Sequence, residues 1–375
     1  LLIPAIARII DSLIPVETIG VGIIGSGKIA LANHLPGLAL CPEARVVALC
    51  DANAHTLEEA SRSTGVSRTY SDYPEVLRDQ NVNAVIVATP NYLHAPISIA
   101  ACEAGKHVLC EKPIAMNLAE ARQMLAAAEK AGVRHMTAFT YRFVPAIRYM
   151  AHLIGQGAIG KPYHFRANRF QDWDARDLGW RQIKKLAATG ELGDMLSHRI
   201  DYAHLMVGPM KRLVAHLKKF VEMRGQSRSE LDDWVAMICD FESDATGVLE
   251  STKLATGRGE GPQSMDSCEV NGADGTLVYY SDKPFEVLVG KKGGKTLTPE
   301  KVPREFLTWP GSPRDPYATD PVIGFRYDQD VEFIRAIVEN RPCRPSFAEG
   351  VAAQAVMDAA LLSEAEHRWV QLSEM

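Results

Sequence analysis

The feature that most constrains this chain is a glycine turn set between a strand-like run and a helix-like run. It reads Gly22-Ile-Ile-Gly25-Ser26-Gly27-Lys28-Ile29-Ala30, and residues 18–24 before it form a short, glycine-bounded, β-rich stretch. In a strand–turn–helix unit the first glycine admits a tight turn and the second lets backbone approach a pyrophosphate. A small third residue allows close helix–strand packing, and the helix N-terminus offers N–H groups and positive dipole to the phosphates. Gly25, Gly27 and Ala30 fill these places. Alone the pattern is weak, but Asp51 ends the next apolar run, where a carboxylate hydrogen-bonds the adenine ribose hydroxyls. That carboxylate also repels a 2′-phosphate, and no arginine follows it in Asp51-Ala52-Asn53-Ala54, so NAD is expected over NADP.

Residues 45–50, 83–88 and 107–110 are further apolar runs without alternation, as suits strands buried on both faces of a parallel sheet. Helix-like stretches at 28–39, 56–63, 74–79, 96–104 and 118–131 separate them, and Gly65, Gly105 and Gly132 stand at helix stops. Residues 135–139 read as one more strand. After about residue 140 strand follows strand: 213–221, 234–241, 246–252, 267–271 and 275–280, with turn residues between, which predicts an antiparallel sheet. One helix over 190–206 precedes that sheet, and two, over 329–339 and 347–366, end the chain. The expected class is α/β: a doubly wound Rossmann domain over 18–140, then an α+β domain over 141–375 whose last helices can pack back on the first. Residues 1–17, apolar but holding Arg8 and Asp11, read as a short amphipathic helix or extension and not as a signal peptide.

A net charge of −5 and a pI near 6.2 argue against a nucleic-acid surface, and Lys184-Lys185 and Lys218-Lys219 read as solvated faces. No apolar run reaches membrane length. Seven scattered cysteines, none in a CxxC pair, imply neither a disulfide framework nor a zinc cluster, so no metal is expected and a reducing, cytoplasmic compartment fits.

Thr89-Pro90-Asn91-Tyr-Leu-His94-Ala-Pro96, followed by Ala104-Gly-Lys-His-Val-Leu-Cys-Glu111-Lys112-Pro113, resembles the Gfo/Idh/MocA oxidoreductases. That family is named for glucose–fructose oxidoreductase, inositol dehydrogenase and a rhizopine-catabolism protein. Tyr141-Arg142-Phe-Val-Pro145 resembles its segment after the last Rossmann strand, and Phe347-Ala-Glu-Gly-Val-Ala-Ala-Gln-Ala-Val356 its closing helix. The likeness runs over nearly the whole chain from Thr18. It implies a large open sheet in the second domain, pairing of such sheets into dimers or tetramers, and sugar, sugar-derivative or cyclitol substrates oxidised or reduced at a carbinol carbon.

The family's second motif is matched by Gly190-Glu-Leu-Gly-Asp194-Met-Leu-Ser-His198-Arg-Ile-Asp201, with Leu196 where many members carry glycine. Helical spacing would set Asp194, His198 and Asp201 on one face. Oxidising a secondary alcohol needs a base for the hydroxyl proton and a donor for the developing alkoxide. His198 is the expected base, Lys112 the donor, Asp194 a ligand for a neighbouring hydroxyl or an orienting group, and Asp201 a support. Asn91 and His94 are expected near the nicotinamide ribose, and Thr89, Pro90, Glu111 and Lys112 are expected to bind the cofactor as well. Arg142, Trp180 and Arg181 are expected to face substrate; Trp173 and the loop 309–317 are weaker candidates. The expected function is an NAD-dependent dehydrogenase of a sugar, glycoside or cyclitol hydroxyl. The alternatives are a glycosidase using transient oxidation by bound NAD, and a non-catalytic nucleotide-sensing protein.

Overall fold

A computed structural model describes residues 18–260, 264–318 and 320–375; the expected N-terminal extension lies outside the described residues. The apolar runs become β1 (Ile19–Ile24), β2 (Ala44–Cys50), β4 (Ala84–Val87), β5 (His107–Cys110) and β6 (His135–Thr137), and a short β3 (Thr69–Tyr70) joins them. They form a six-stranded sheet in the order β3-β2-β1-β4-β5-β6, parallel at every pairing. β1 and β4 are buried along their whole length, as unalternating apolar runs require. The winding reverses between them, so their C-terminal ends open the crevice where such sheets take ligands. Helices Ala54–Thr64 and Leu118–Ala131 start on the side-chain caps Asn53 and Asn117 and end on left-handed Gly65 and Gly132. β3, two residues with no apolar run, was not expected.

The second sheet has nine strands, of which Met210–Lys218, Trp234–Phe241, Thr246–Thr252, Met265–Gly272 and Gly275–Tyr280 match expectation. Its central strand, Pro162–Phe170, was not foreseen. Phe165, Ala167 and Arg169 point inward along it, and a buried arginine breaks the apolar alternation that marks a strand. It pairs in parallel with Thr246–Thr252; the other pairings are antiparallel.

The closing helix Phe347–Glu366 begins with a capping box from Ser346 and Glu349. It serves both sheets. Gly350 presses on the first, where a Cβ would fall 2.6 Å from Ile114 Cδ1 and from Thr137 Oγ1. Ser363 Oγ and a Glu364 oxygen each accept a backbone N–H from strand Met210–Lys218 at 3.0 Å. One hydrophobic cluster runs from Ile23 and Leu109 beside the first sheet to Phe165, Leu249 and Val270 of the second.

Candidate active site

The glycine turn is built against the end of β4. Gly25 takes φ +92°, and a Cβ there would fall 2.6 Å from the Ala88 carbonyl and 2.8 Å from Thr89 N. This sets Thr89 and Pro90 beside the turn. Gly27 meets nothing within 4 Å of its Cβ position, so it leaves a face open at the helix N-terminus, where a pyrophosphate fits. Lys28 is exposed and Ile29 half-buried there. Asp51 steadies the turn: Oδ2 accepts from Ser26 N at 3.0 Å and Oδ1 from Asn53 N at 2.8 Å. The carboxylate stays half-buried, and each oxygen keeps a lone pair for a ribose hydroxyl. These residues fit a dinucleotide.

β5 delivers Glu111-Lys112-Pro113 to the same edge. Lys112 Nζ donates to Asp194 Oδ1 at 2.8 Å and to the Asp194 carbonyl at 2.5 Å. Asp194 sits in a π-wound turn, Leu192–Leu196, ahead of the α-helix Ser197–Met206. Gly193 lets that turn come close, since a Cβ there would fall 2.4 Å from Thr189 Oγ1 and 3.4 Å from Pro113 Cγ. Asp232 anchors its start by accepting from Gly190 N at 2.7 Å and Leu192 N at 2.9 Å. The regular spacing expected of Asp194, His198 and Asp201 is therefore corrected. Ser197 N–H donates to Leu192 O across the wider turn, which shifts the phase of Asp194 against the helix that follows.

His198 is only 2% exposed. Its ring packs on Tyr141 at 4.6 Å between centroids and edge-on to Phe139 at 6.0 Å. Its Nδ1 is buried without a hydrogen-bond partner, so aromatic packing orients the ring and no carboxylate does. Burial pushes the imidazole well below its ordinary range, and the Lys112, Arg199, Arg326 and Arg169 cations push the same way. The ring is neutral and keeps a lone pair for a proton. Burial alone would raise Asp194; the Lys112, Arg181 and Lys253 charges outweigh it and hold the carboxyl below the usual carboxylate range. Asp194 Oδ2 is buried and unpartnered. The site thus holds a neutral imidazole, an ammonium and an ionised carboxylate with one free oxygen.

Several expected contacts turn out to be engaged elsewhere. Both His94 ring nitrogens face backbone carbonyls, Pro113 O at 2.8 Å and Thr89 O at 2.9 Å, and the ring is buried. It braces the two loops, with both ring nitrogens engaged by backbone. Asn91 Nδ2 donates to Ala187 O at 3.0 Å, tying its loop to the second half of the chain. Glu111 is held by His34 at 3.1 Å and by the Lys112 backbone N–H at 3.2 Å. Arg142, expected to face substrate, is spent on a bidentate pair with Asp201, both bonds at 2.7 Å. Trp309 is half-buried, packs on Phe143 and Arg148 and donates to Glu332 at 2.7 Å, so its own ring is held against the core. Trp180 and Arg181 remain half-buried, stacked at 4.4 Å, and the charge of Arg181 is felt at Asp194. Trp173 lies between Arg176 at 5.0 Å and Lys253 at 5.6 Å with Nε1 unpartnered.

Sequence reasoning missed the buried charges behind the site. Arg199 stacks on Tyr141 at 4.8 Å and pairs with Asp266, both fully buried. Glu191 accepts from Ser251 Oγ at 2.5 Å beside Lys253 at 3.8 Å; burial lifts it to about 7 although Lys253 opposes. His34 bridges Glu111 and Asp330. Arg199 and Glu191 adjoin motif residues, but no spacing rule marks their partners.

A parallel sheet of this order, with a dinucleotide turn and a lysine, acid and histidine at its edge, defines a nicotinamide-dependent oxidoreductase. The comparisons agree. Residues 19–139 match the oxidoreductase family with an NAD-binding Rossmann fold, and residues 147–278 match the GFO/IDH/MocA C-terminal domain. Levoglucosan dehydrogenase of Pseudarthrobacter phenanthrenivorans is 31% identical over 96% of this chain and 99% of its own. D-apiose dehydrogenase of Paraburkholderia graminis is 28% identical over 94% and 89%. The structure of a levoglucosan dehydrogenase with NADH and levoglucosan superposes with a TM-score of 0.87 at 30% identity, over 95% of this chain and 100% of that one. An oxidoreductase domain protein from Kribbella flavida gives 0.87 at 32%, over 95% and 99%. The chain belongs to the Gfo/Idh/MocA oxidoreductase family.

Proposed function

We propose that this chain oxidises a secondary hydroxyl of a sugar, glycoside or cyclitol with NAD. The observation that carries the reading is the Lys112–Asp194 pair set beside a buried, neutral His198 at the edge that also bears the glycine turn. NAD, held at the glycine turn, would supply the two-electron hydride acceptor; His198 takes the carbinol O–H proton. Lys112 donates to the reacting oxygen and stabilises its developing charge. The free oxygen of Asp194 accepts from a neighbouring hydroxyl and so fixes which carbon is presented. Trp180 and Arg181 border the sugar, and Gly25, Gly27 and Asp51 hold the dinucleotide.

The similarity to levoglucosan dehydrogenase favours an anhydrosugar or pyranose. The test is a panel of levoglucosan, D-apiose, myo-inositol and simple glycosides with NAD, read as NADH absorbance. Turnover without net NADH would replace this reading with the glycosidase. Absence of any oxidised product across the panel would point to a nucleotide sensor.

Two accompanying assignments belong to the same proposal. Val214, Ile238 and Val248 pair side by side on the outer face of the nine-stranded sheet, and Ile238 is 51% exposed, which supports pairing of two sheets in a homodimer or homotetramer. All seven cysteines are buried and unpaired, which supports a reducing cytoplasmic location. No helix among the described residues is long and apolar enough to cross a membrane.

A further inference from the structure

A buried string of charges reaches the site from behind, and the reaction as proposed makes no use of it. His34 has no exposed surface. Its Nδ1 lies 2.8 Å from Asp330 Oδ1, on helix Asp328–Val338, and its Nε2 lies 3.1 Å from Glu111 Oε1. Two carboxylate oxygens on one imidazole call for two N–H donors, because either neutral tautomer would set a lone pair against an anion. Burial alone would lower the ring's pKa; the Asp330 charge and hydrogen bond, then Glu111, outweigh it and raise it to about 10. Gly37, one turn further along the same helical segment, makes room for the acid: a Cβ there would fall 2.3 Å from Asp330 Oδ2.

The other end of the string is the reacting lysine. Glu111 Oε2 accepts from the Lys112 backbone N–H at 3.2 Å, while its Oε1 faces His34. The Glu111 carboxylate is thereby fixed at both oxygens. Lys112 leaves that anchored backbone and reaches Asp194 at 2.8 Å. A lysine stem is long and carries much rotamer freedom, so where its ammonium rests depends on where its backbone is held.

We infer that His34 is a positioning residue for Lys112: by bridging Asp330 and Glu111 it fixes the carboxylate that holds the Lys112 backbone, and so keeps the ammonium on Asp194. His34 rides on the helical segment that follows the glycine turn, so the reacting lysine is keyed to the element that binds the dinucleotide. The inference rests on the role of Lys112 in the proposed dehydrogenase, and its test has a readout independent of substrate.

The full chain and the variants H34Q, E111Q and H34Q/E111Q are treated with acetic anhydride, and acetylation of Lys112 is followed by peptide mass spectrometry, with the exposed Lys28 and Lys130 as internal references. Severalfold faster labelling of Lys112 is expected in each single variant, with the references unchanged and no further gain in the double variant, because both changes act through one carboxylate. Wild-type labelling in folded H34Q, or an additive double variant, overturns the inference and leaves His34 a stability group. Should H34Q not fold, E111Q decides alone, since it keeps His34 on Asp330; wild-type labelling there is equally fatal. In parallel, kcat on levoglucosan is expected to fall about tenfold in H34Q with the KM for NAD little changed. If the wild type does not turn over levoglucosan, the substrate reading fails while the labelling result still stands.

Discussion

His198 does without the carboxylate partner that often orients a catalytic histidine. Its Nδ1 is unpartnered, and the faces of Tyr141 and Phe139 fix the ring. A base that is buried among cations is deprotonated over a wide pH range, at the cost of basicity. The ring's pKa lies well below 6.5, so it can accept a proton at neutral pH, and activity is lost only as pH falls through that lowered value. The acid limb of the kcat profile is expected below pH 6.5; a limb at or above 6.5 would assign the base elsewhere. Replacing His198 by alanine should cut kcat by about 10²- to 10⁴-fold with NAD affinity little changed in a fluorescence titration; equal loss of both would sink the assignment. Asp51 makes the opposite kind of prediction. Asp51→Ala removes the acceptor for the ribose and the repulsion of a 2′-phosphate, so it should weaken NAD and narrow the NAD over NADP preference. An unchanged ratio of kcat/KM for the two cofactors would refute that role.

The elements differ in how far the sequence announces them. β1, β2, β4 and β5 are apolar runs with glycine or polar bounds, and the glycine turn carries its own steric reasons, so all of the first sheet's cofactor edge is readable from residues alone while the two-residue β3 is not. Strand Pro162–Phe170 is not, because Arg169 sits inward where an apolar residue is expected and finds Asp266 at 3.9 Å only in three dimensions. The π-wound turn is likewise invisible to helical spacing: nothing in Leu192-Gly-Asp-Met-Leu196 forbids an α-helix. The groups that contact it, Asp232, Thr189 and Pro113, lie outside the segment. The Asp201 pairing of Arg142 is unreadable for a related reason. The arginine's place beside the cleft was inferred from a motif, but the partner that claims it, Asp201, is 59 residues away. The π turn carries a direct test. Gly193→Ala puts a methyl 2.4 Å from Thr189 Oγ1 and 3.4 Å from Pro113 Cγ, so either Thr189 or the turn must shift, and a shift of the turn moves Asp194 relative to Lys112. Overpacking of this kind destabilises by about 1–3 kcal/mol. A fall in kcat exceeding the loss of folded protein, with NAD binding retained, is expected; an unperturbed kcat would mean that the approach of Asp194 to Lys112 is not set by this turn.

At the scale of the whole molecule, the first sheet and the helices that end the chain are joined by buried charge as well as by the continuous core, and His34 is the centre of that junction. The ring gains two carboxylates on folding that it lacks in the unfolded chain. Its pKa rises from 6.5 to about 10, burial opposing and the acids prevailing, so the folded state holds the proton more tightly. The contribution to stability is therefore fully present below pH 6.5 and is lost progressively as pH rises to about 10. Burial lifts Asp330 to about 6 against the pull of His34, and Glu111 is held low by His34 and Lys112 although burial opposes, so both acids are ionised across that window. Urea denaturation at intervals from pH 7 to 10 should show the midpoint of the wild type falling with pH. H34Q should start lower and fall less, because its glutamine has no proton to lose. Lysines and thiols titrate in both proteins, so the difference between the two slopes isolates the histidine, provided the m-value is unchanged. Parallel slopes would show that His34 carries no extra proton and that its bridge to Asp330 and Glu111 does not join the two halves through charge.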